Sequence, residues 1–120
     1  MNPLFPVMAG GAIGAGLRYL TGLALPARAG WPWGTFAVNI LGGFAMGLLA
    51  AGLMRGHATE AVRLFVGVGI LGGFTTFSAF SLEGFRLIEG GNWGLALGYA
   101  LASVIGSVAA LAAGYALVRP

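Results

Sequence analysis

The chain consists of four long apolar runs separated by short stretches of polar and turn-forming residues. The runs cover about residues 3–25, 33–54, 62–87 and 93–118. A helix needs about 20 mostly apolar residues to span a bilayer, and all four runs reach that length. Three tryptophans lie at the ends of runs, where the interface between membrane and water favours them: Trp31, Trp33 and Trp93. The pattern predicts an all-α membrane protein in which residues 1–120 form a single four-span domain.

The composition agrees with a protein that lies in a membrane. Of the 120 residues, 58% are hydrophobic and 8% are charged, whereas soluble proteins carry about 25% charged residues. The net charge of +3 is small, so we expect charged membrane flanks and some attraction of anions, but no nucleic-acid surface. The chain has no cysteine and therefore no disulfide or thiolate chemistry.

The arginines give no clear orientation in the membrane. With four spans they divide three against three between the two sides: Arg55, Arg63 and Arg119 on one, Arg18, Arg28 and Arg86 on the other. Orientation normally follows an excess of Lys and Arg on one side, and this chain has no lysine. We therefore expect insertion both ways up and pairing with an inverted second copy. The alternative is that one dominant helix still fixes a single orientation.

The third run is interrupted by the stretch Gly72 to Ser81, GGFTTFSAFS, which has two glycines, two threonines and two serines in ten positions. A break in a membrane helix persists only where protein or a water-filled path replaces the lost backbone partners. We therefore expect the third span to be broken near its middle, at about Gly72 to Thr76. Freed carbonyls at such a break can bind a cation; the alternative is a tolerated kink.

Small residues recur every fourth position in two of the runs. They are Gly98, Ala102, Gly106, Ala110 and Gly114 in the fourth run, and Gly43, Gly47 and Ala51 in the second. Small residues at this spacing let two membrane helices approach closely. The pattern predicts tight helix contacts along both runs.

Polar side chains follow the same spacing beside these ridges. Tyr99, Ser103 and Ser107 form a hydroxyl series in the fourth run, and Asn39 lies one turn before Gly43. Each residue alone is explained by hydrogen bonds between helices or to its own backbone. Together with a broken helix they favour a polar pathway, because polar groups inside a membrane are usually functional.

Two phenylalanines stand three residues apart in the interrupted stretch. Phe77 and Phe80 share one face if the chain is helical there, and Ser78 and Ser81 place hydroxyls next to them. The edge of an aromatic ring is positive, so it can stabilise a small dehydrated anion without trapping it. The alternative is ordinary packing in the core or against lipid.

Two charged residues, Arg18 and Glu83, lie within the apolar runs. Arg18 either extends to the interface or provides a fixed positive charge that concentrates anions in a vestibule. Glu83 follows Phe80 by three residues, where it can pair with an arginine or cap a polar cluster. The only histidine, His57, lies in a loop, and no cluster offers a transition-metal site. We therefore expect no enzyme activity.

These elements together resemble the Fluc (CrcB) family of fluoride channels over essentially the whole chain. The resembling elements are GLRY at Gly16–Tyr19, GTFAVNILGGF at Gly34–Phe44, GGFTTFSAFSLE at Gly72–Glu83, and the series Tyr99, Ser103, Ser107. The resemblance implies a dual-topology antiparallel homodimer in the cell inner membrane. Such a dimer has two pores through which fluoride leaves the cytoplasm passively, and this gives fluoride resistance.

The resemblance also implies roles for single residues. A structural sodium ion at the dimer centre is held by the backbone carbonyls of Gly72 and Thr75 from both subunits. The fluoride pathway takes in Asn39, the phenylalanines Phe77 and Phe80 with the neighbouring Ser78 and Ser81, the track Tyr99, Ser103 and Ser107, the vestibule Arg18, and Glu83.

Two other functions are compatible with a small four-span protein. A small multidrug-type exporter needs an acidic residue in its first span to exchange protons for drugs, but the first run has Arg18 and no acid. A packing subunit without transport activity is compatible with the small-residue ridges. It leaves the hydroxyl series and Asn39 unexplained.

Overall fold

The structure, a computed structural model, describes residues 2–119 and is helical throughout its regular parts. The elements are α1 (Leu4–Ala24), α2 (Trp33–Met54), α3 (Glu60–Val62), a π-helix (Arg63–Leu71), α4 (Gly72–Phe74), α5 (Ser78–Glu89) and α6 (Trp93–Val118). No strand occurs within residues 2–119, where an isolated bridge joins Arg28 and Trp31. The prediction of an all-α chain is confirmed.

Three helical stretches of the described chain are long and apolar enough to cross a membrane. They are Trp33–Met54, Glu60–Glu89 and Trp93–Val118, with a mean hydropathy of 1.9, 1.6 and 2.0. The first helix, α1, has 21 residues, which at ~1.5 Å per residue is enough to cross the hydrocarbon core. It is less apolar because it contains Arg18, so the fourth span stays a prediction.

The third span is built from four pieces. Its first half is a nine-residue π-helix, in which backbone N–H groups donate to the carbonyl five residues earlier. The helix then ends at Phe74, Thr75 is extended with φ −84° and ψ 158°, and helix resumes at Ser78. The break therefore lies slightly later than the predicted Gly72 to Thr76. The π-helix was not predicted.

The predicted small-residue contacts join α2 and α6. A Cβ atom added at Gly43 would lie 2.8 Å from the carbonyl oxygen of Ser107, and one at Gly47 would collide with the carbonyl of Leu111. Gly114 approaches the α2 backbone equally closely. Gly98 meets nothing within 4 Å, so the N-terminal end of the ridge does not make the predicted contact.

A second close contact joins α1 to the third span. The added Cβ atom at Gly10 would lie 2.5 Å from the carbonyl oxygen of Phe65, and one at Gly73 would lie 2.5 Å from that of Gly11. The backbone of α1 thus runs directly against the π-helix and α4. This contact holds α1 beside the break.

Candidate functional site

An open cavity of about 410 Å³ lies beside the helix break, between α2 and α6. It collects seven of the predicted site residues: Asn39, Gly72, Thr75, Phe77, Phe80, Ser103 and Ser107. The described residues that line it include no charged side chain. The cavity thus combines hydroxyl and amide groups with aromatic rings in an otherwise apolar wall.

Asn39 binds the backbone of the break with both ends of its amide. Its Nδ2 donates to the carbonyl oxygen of Thr76 at 3.0 Å, and its Oδ1 accepts from the Thr76 N–H at 2.9 Å. Backbone groups that leave a membrane helix need such partners. Asn39 therefore holds the break open as well as lining the cavity.

Thr76 also starts the next helix. Its Oγ1 accepts from the N–H of Ala79 at 3.2 Å, which is the bond that a threonine makes when it caps a helix N-terminus. Thr75 turns its hydroxyl back to the carbonyl of Leu71 at 2.9 Å. Gly42 of α2 has no side chain, and a Cβ atom there would collide with the Thr75 methyl group.

These bonds divert the N–H groups that would otherwise reach the carbonyls of Gly72 and Thr75. The carbonyl of Gly72 would receive the Thr76 N–H in a continuous helix, but that N–H donates to Asn39. The carbonyl of Thr75 would receive the Ala79 N–H, which donates to Thr76 instead. Hard cations prefer oxygen ligands of this kind. The donor set therefore fits the predicted sodium ligands, although neither carbonyl alone makes a site.

Arg18 contacts the other side of the break. Its Nε donates to the carbonyl oxygen of Gly73 at 3.1 Å, so a third backbone group of the break is satisfied by a side chain. Arg18 also lines a second cavity of about 310 Å³, together with Thr35 and Thr76. It does not line the first cavity, although Thr76 lines both.

The two phenylalanines are the start of a series of aromatic contacts. The ring centroids of Phe77 and Phe80 are 5.6 Å apart with planes inclined by 44°, and Phe80 lies 5.1 Å from Tyr99. Phe77 is 77% exposed on this chain. Other apolar side chains of the chain, such as Leu117, are almost as exposed, since lipid can cover them.

The cavity includes only part of the hydroxyl series of α6. Ser103 and Ser107 line it, and the buried Oγ of Ser103 has no hydrogen-bond partner among the described residues. Tyr99 lies one turn before Ser103 and is fully buried, outside the cavity wall. A buried hydroxyl without a partner is unfavourable and points to an unseen acceptor or donor.

Glu83 joins a polar cluster and no arginine. Its Oε2 accepts from the Thr35 hydroxyl at 3.0 Å and its Oε1 accepts from the Tyr99 hydroxyl at 3.1 Å. The salt bridge found within residues 2–119 is between Glu60 and Arg63. The prediction that Glu83 caps a polar cluster therefore describes the structure better than pairing with an arginine.

Ser78 and Ser81 lie on the exposed side of α5. Ser81 donates to the carbonyl of Phe77 at 2.9 Å, and the hydroxyl of Ser78 lies 3.4 Å from that of Thr76. Neither lines the cavity of this single chain. Their hydroxyls are bound locally, as serines in membrane helices commonly are.

The sequence prediction missed Thr35 and Thr76 as site residues. Thr35 lies four residues before Asn39, so helical spacing places both on one face of α2. Thr76 is part of the interrupted stretch, but its double role depends on side chains that are distant in sequence. Only the fold brings Asn39 and Thr76 together.

Comparisons with known proteins agree with this architecture. A sequence model of the family described as "CrcB-like protein, Camphor Resistance (CrcB)" matches residues 5–115. A protein of Sphingopyxis alaskensis named "Fluoride-specific ion channel FluC" is 56% identical over 99% of this chain and 97% of its own length. Proteins with the same name from Mesorhizobium japonicum and Phenylobacterium zucineum are 54% and 55% identical over 99% of this chain, and over 98% and 97% of their own lengths.

The family match and the apolar helices agree on where the protein lies. Relatives named as ion channels act across membranes, and three helical stretches here are long and apolar enough to cross one. The chain is a multi-pass protein of the cell membrane, and it belongs to the CrcB family.

Proposed function

We propose that this chain is a subunit of a fluoride channel that lets fluoride leave the cytoplasm passively. The observation that carries the proposal is the uncharged cavity at the helix break, lined by Phe77, Phe80, Ser103 and Ser107. The name of the relatives, fluoride-specific ion channels, supports it independently. A channel is not an enzyme, in agreement with the lack of a catalytic cluster in the sequence.

The cavity wall suits a small anion that must lose its water. A hydroxyl donor such as Ser103 replaces part of the hydration shell, and its Oγ has no other partner in the described chain. The positive edges of Phe77 and Phe80 add a weak attraction. Conduction requires binding that is strong enough for entry and weak enough for exit. A wall with no charged side chain meets both requirements.

A second copy in the inverted orientation completes the pathway in this proposal. The cavity opens to the outside of the chain, and Phe77 on its rim is 77% exposed. The even division of arginines supports insertion both ways up. An antiparallel homodimer then covers both exposed rims and forms two pores, each built from residues of both subunits.

A structural sodium ion at the dimer centre is part of the same proposal. The carbonyls of Gly72 and Thr75 from each subunit would hold it, since Na⁺ takes oxygen ligands at helix breaks. When bound, the ion supplies positive charge that offsets the cost of an anion in a low-dielectric interior. Arg18 adds a fixed positive charge close to the break.

A cell needs such a channel because fluoride accumulates inside it as the anion of a weak acid. Uncharged HF crosses the membrane and dissociates inside, and the anion then needs a path outward. A passive channel is sufficient because the membrane potential drives the anion out. Cells that express the chain are therefore expected to resist fluoride.

Reconstitution tests the function directly. Purified protein is placed in liposomes loaded with fluoride or chloride, and release is followed with an ion-selective electrode. We expect fast fluoride release, little chloride release, and none from protein-free liposomes. The proposal fails if folded protein releases no fluoride. If release requires a sodium gradient, the chain is a coupled transporter instead.

A further inference from the structure

Trp31 has a buried indole N–H that donates to nothing. The residue lies in the turn between α1 and α2, and its Nε1 is shielded from the surface without a hydrogen-bond partner within residues 2–119. Its ring packs edge-on against Tyr99, with centroids 5.3 Å apart and planes inclined by 78°. Buried indole N–H groups normally find an acceptor. The unpartnered N–H therefore points to an acceptor that the described residues do not supply.

The turn that places Trp31 is conformationally costly. Arg28 and Trp31 exchange both backbone hydrogen bonds, at 3.1 and 2.9 Å, and the two residues between them, Ala29 and Gly30, have φ of 51° and 82°. This is the turn with two left-handed residues that glycine normally supplies. Alanine in that region is strained. The chain thus tolerates strain at the position that folds Trp31 inward, as functional sites often do.

Trp31 continues the aromatic series that begins in the cavity. The series runs from Phe77 through Phe80 and Tyr99 to Trp31, with neighbouring centroids 5.6, 5.1 and 5.3 Å apart. Ser103 lies one turn beyond Tyr99 on α6, whereas Trp31 packs against the cluster formed by Leu87, Ala96 and Tyr99. Both buried donors without partners therefore lie next to Tyr99, Trp31 by ring contact and Ser103 one helical turn away.

Tyr99 itself is not free to bind an anion. Its hydroxyl donates to Glu83, whose other oxygen accepts from Thr35. Both carboxylate oxygens thus have hydroxyl donors, which compensate part of the charge. The donors without partners near this cluster are Ser103 and Trp31.

We propose that the Trp31 indole N–H is an additional binding donor for a small anion. It extends the pathway past Tyr99 to the turn between α1 and α2. The proposal rests on the proposed fluoride conduction, because fluoride is the anion expected to reach this position. Trp31 provides a neutral donor that holds the anion for a short time beyond the Ser103 end of the cavity.

Indole NMR signals test this binding without any change at Trp31. The chain has three tryptophans, so ¹⁵N-indole-labelled protein gives three signals, and the variants Trp33→Phe and Trp93→Phe assign two of them. Fluoride is titrated against gluconate at constant ionic strength. We expect a saturable shift of the Trp31 N–H signal, while those of Trp33 and Trp93 stay in place. A Trp31 signal that does not move overturns the proposal.

Flux measurements add a second test with a matched control. Trp31→Phe keeps an aromatic ring and removes the N–H, and we expect fluoride release to fall about tenfold, the effect of one hydrogen bond to an anion. Trp33→Phe changes a partly exposed neighbour and should keep the rate within about twofold. Equal rates for wild type and Trp31→Phe refute the donor role. No release from the wild type refutes the proposed function itself.

Discussion

The most direct test of the cavity is an added negative charge at Asn39. In Asn39→Asp the carboxylate keeps the bond from the Thr76 N–H but loses the one to its carbonyl. An anion in the cavity would lie about 5 Å from this charge, and at an effective dielectric constant of about 20 the repulsion is roughly 3 kcal/mol. A barrier raised by that amount slows passage more than about 100-fold. We therefore expect fluoride release from liposomes to be nearly abolished.

Asn39→Ala separates charge from lost anchoring. It removes both bonds to Thr76, which in a membrane are worth about 0.6–1.7 kcal/mol each, so stability falls by about 1–3 kcal/mol in total. It introduces no charge, and the protein that remains folded should conduct faster than Asn39→Asp. Both variants are compared by size-exclusion chromatography before the flux assay. A folded Asn39→Asp protein that conducts like wild type would show that Asn39 does not face the anion path.

Three further predictions concern the rings, the proposed cation and the helix packing. Phe80→Ile should abolish fluoride flux and leave the dimer assembled. The control Phe85→Ile changes a ring on the exposed side of α5 and should conduct. Undiminished flux in Phe80→Ile contradicts the role of the ring edge. Replacing sodium by a large organic cation should reduce the dimer fraction seen by light scattering. Fluoride flux should not follow an imposed sodium gradient. A dimer fraction that is unchanged after exhaustive removal of sodium argues against a structural ion. Gly47→Ala forces a Cβ atom against the carbonyl of Leu111 and should lower stability by about 1–3 kcal/mol, measured as the protein left folded after heating in detergent. Gly98→Ala meets nothing and should be neutral; equal losses in both would contradict the close contact.

The helices could be predicted from the sequence because the membrane fixes their length. Apolar runs at 33–54 and 93–118 coincide with α2 and α6, since a proline, a glycine or a charged residue ends each of them. The π-helix could not be predicted, because hydropathy indicates which residues face lipid but not which carbonyl accepts a hydrogen bond from each N–H. Its glycines, Gly67 and Gly69, look the same in sequence as glycines of an α-helix.

The site was predicted as a set of residues but not as a set of contacts. Helical spacing placed Asn39 and the serines of α6 along the small-residue ridges of their own helices, and the cavity brings them together. Spacing gives no information on Asn39 and Thr76, which are 37 residues apart, or on Arg18 and Gly73, which are 55 apart. Both pairs arise only when α1 and α2 pack on the third span.

These contacts bear on the order in which the proposed site forms. The break is held within one chain, because Arg18 binds the carbonyl of Gly73 and Asn39 binds both backbone groups of Thr76. The carbonyls of Gly72 and Thr75 keep no helical partner after this, and two oxygens from one chain are too few to enclose a cation. A single chain therefore folds its own break but leaves the cation ligands incomplete. In the proposed dimer the second copy adds its own two carbonyls, so sodium should stabilise assembly more than it stabilises the fold of each subunit.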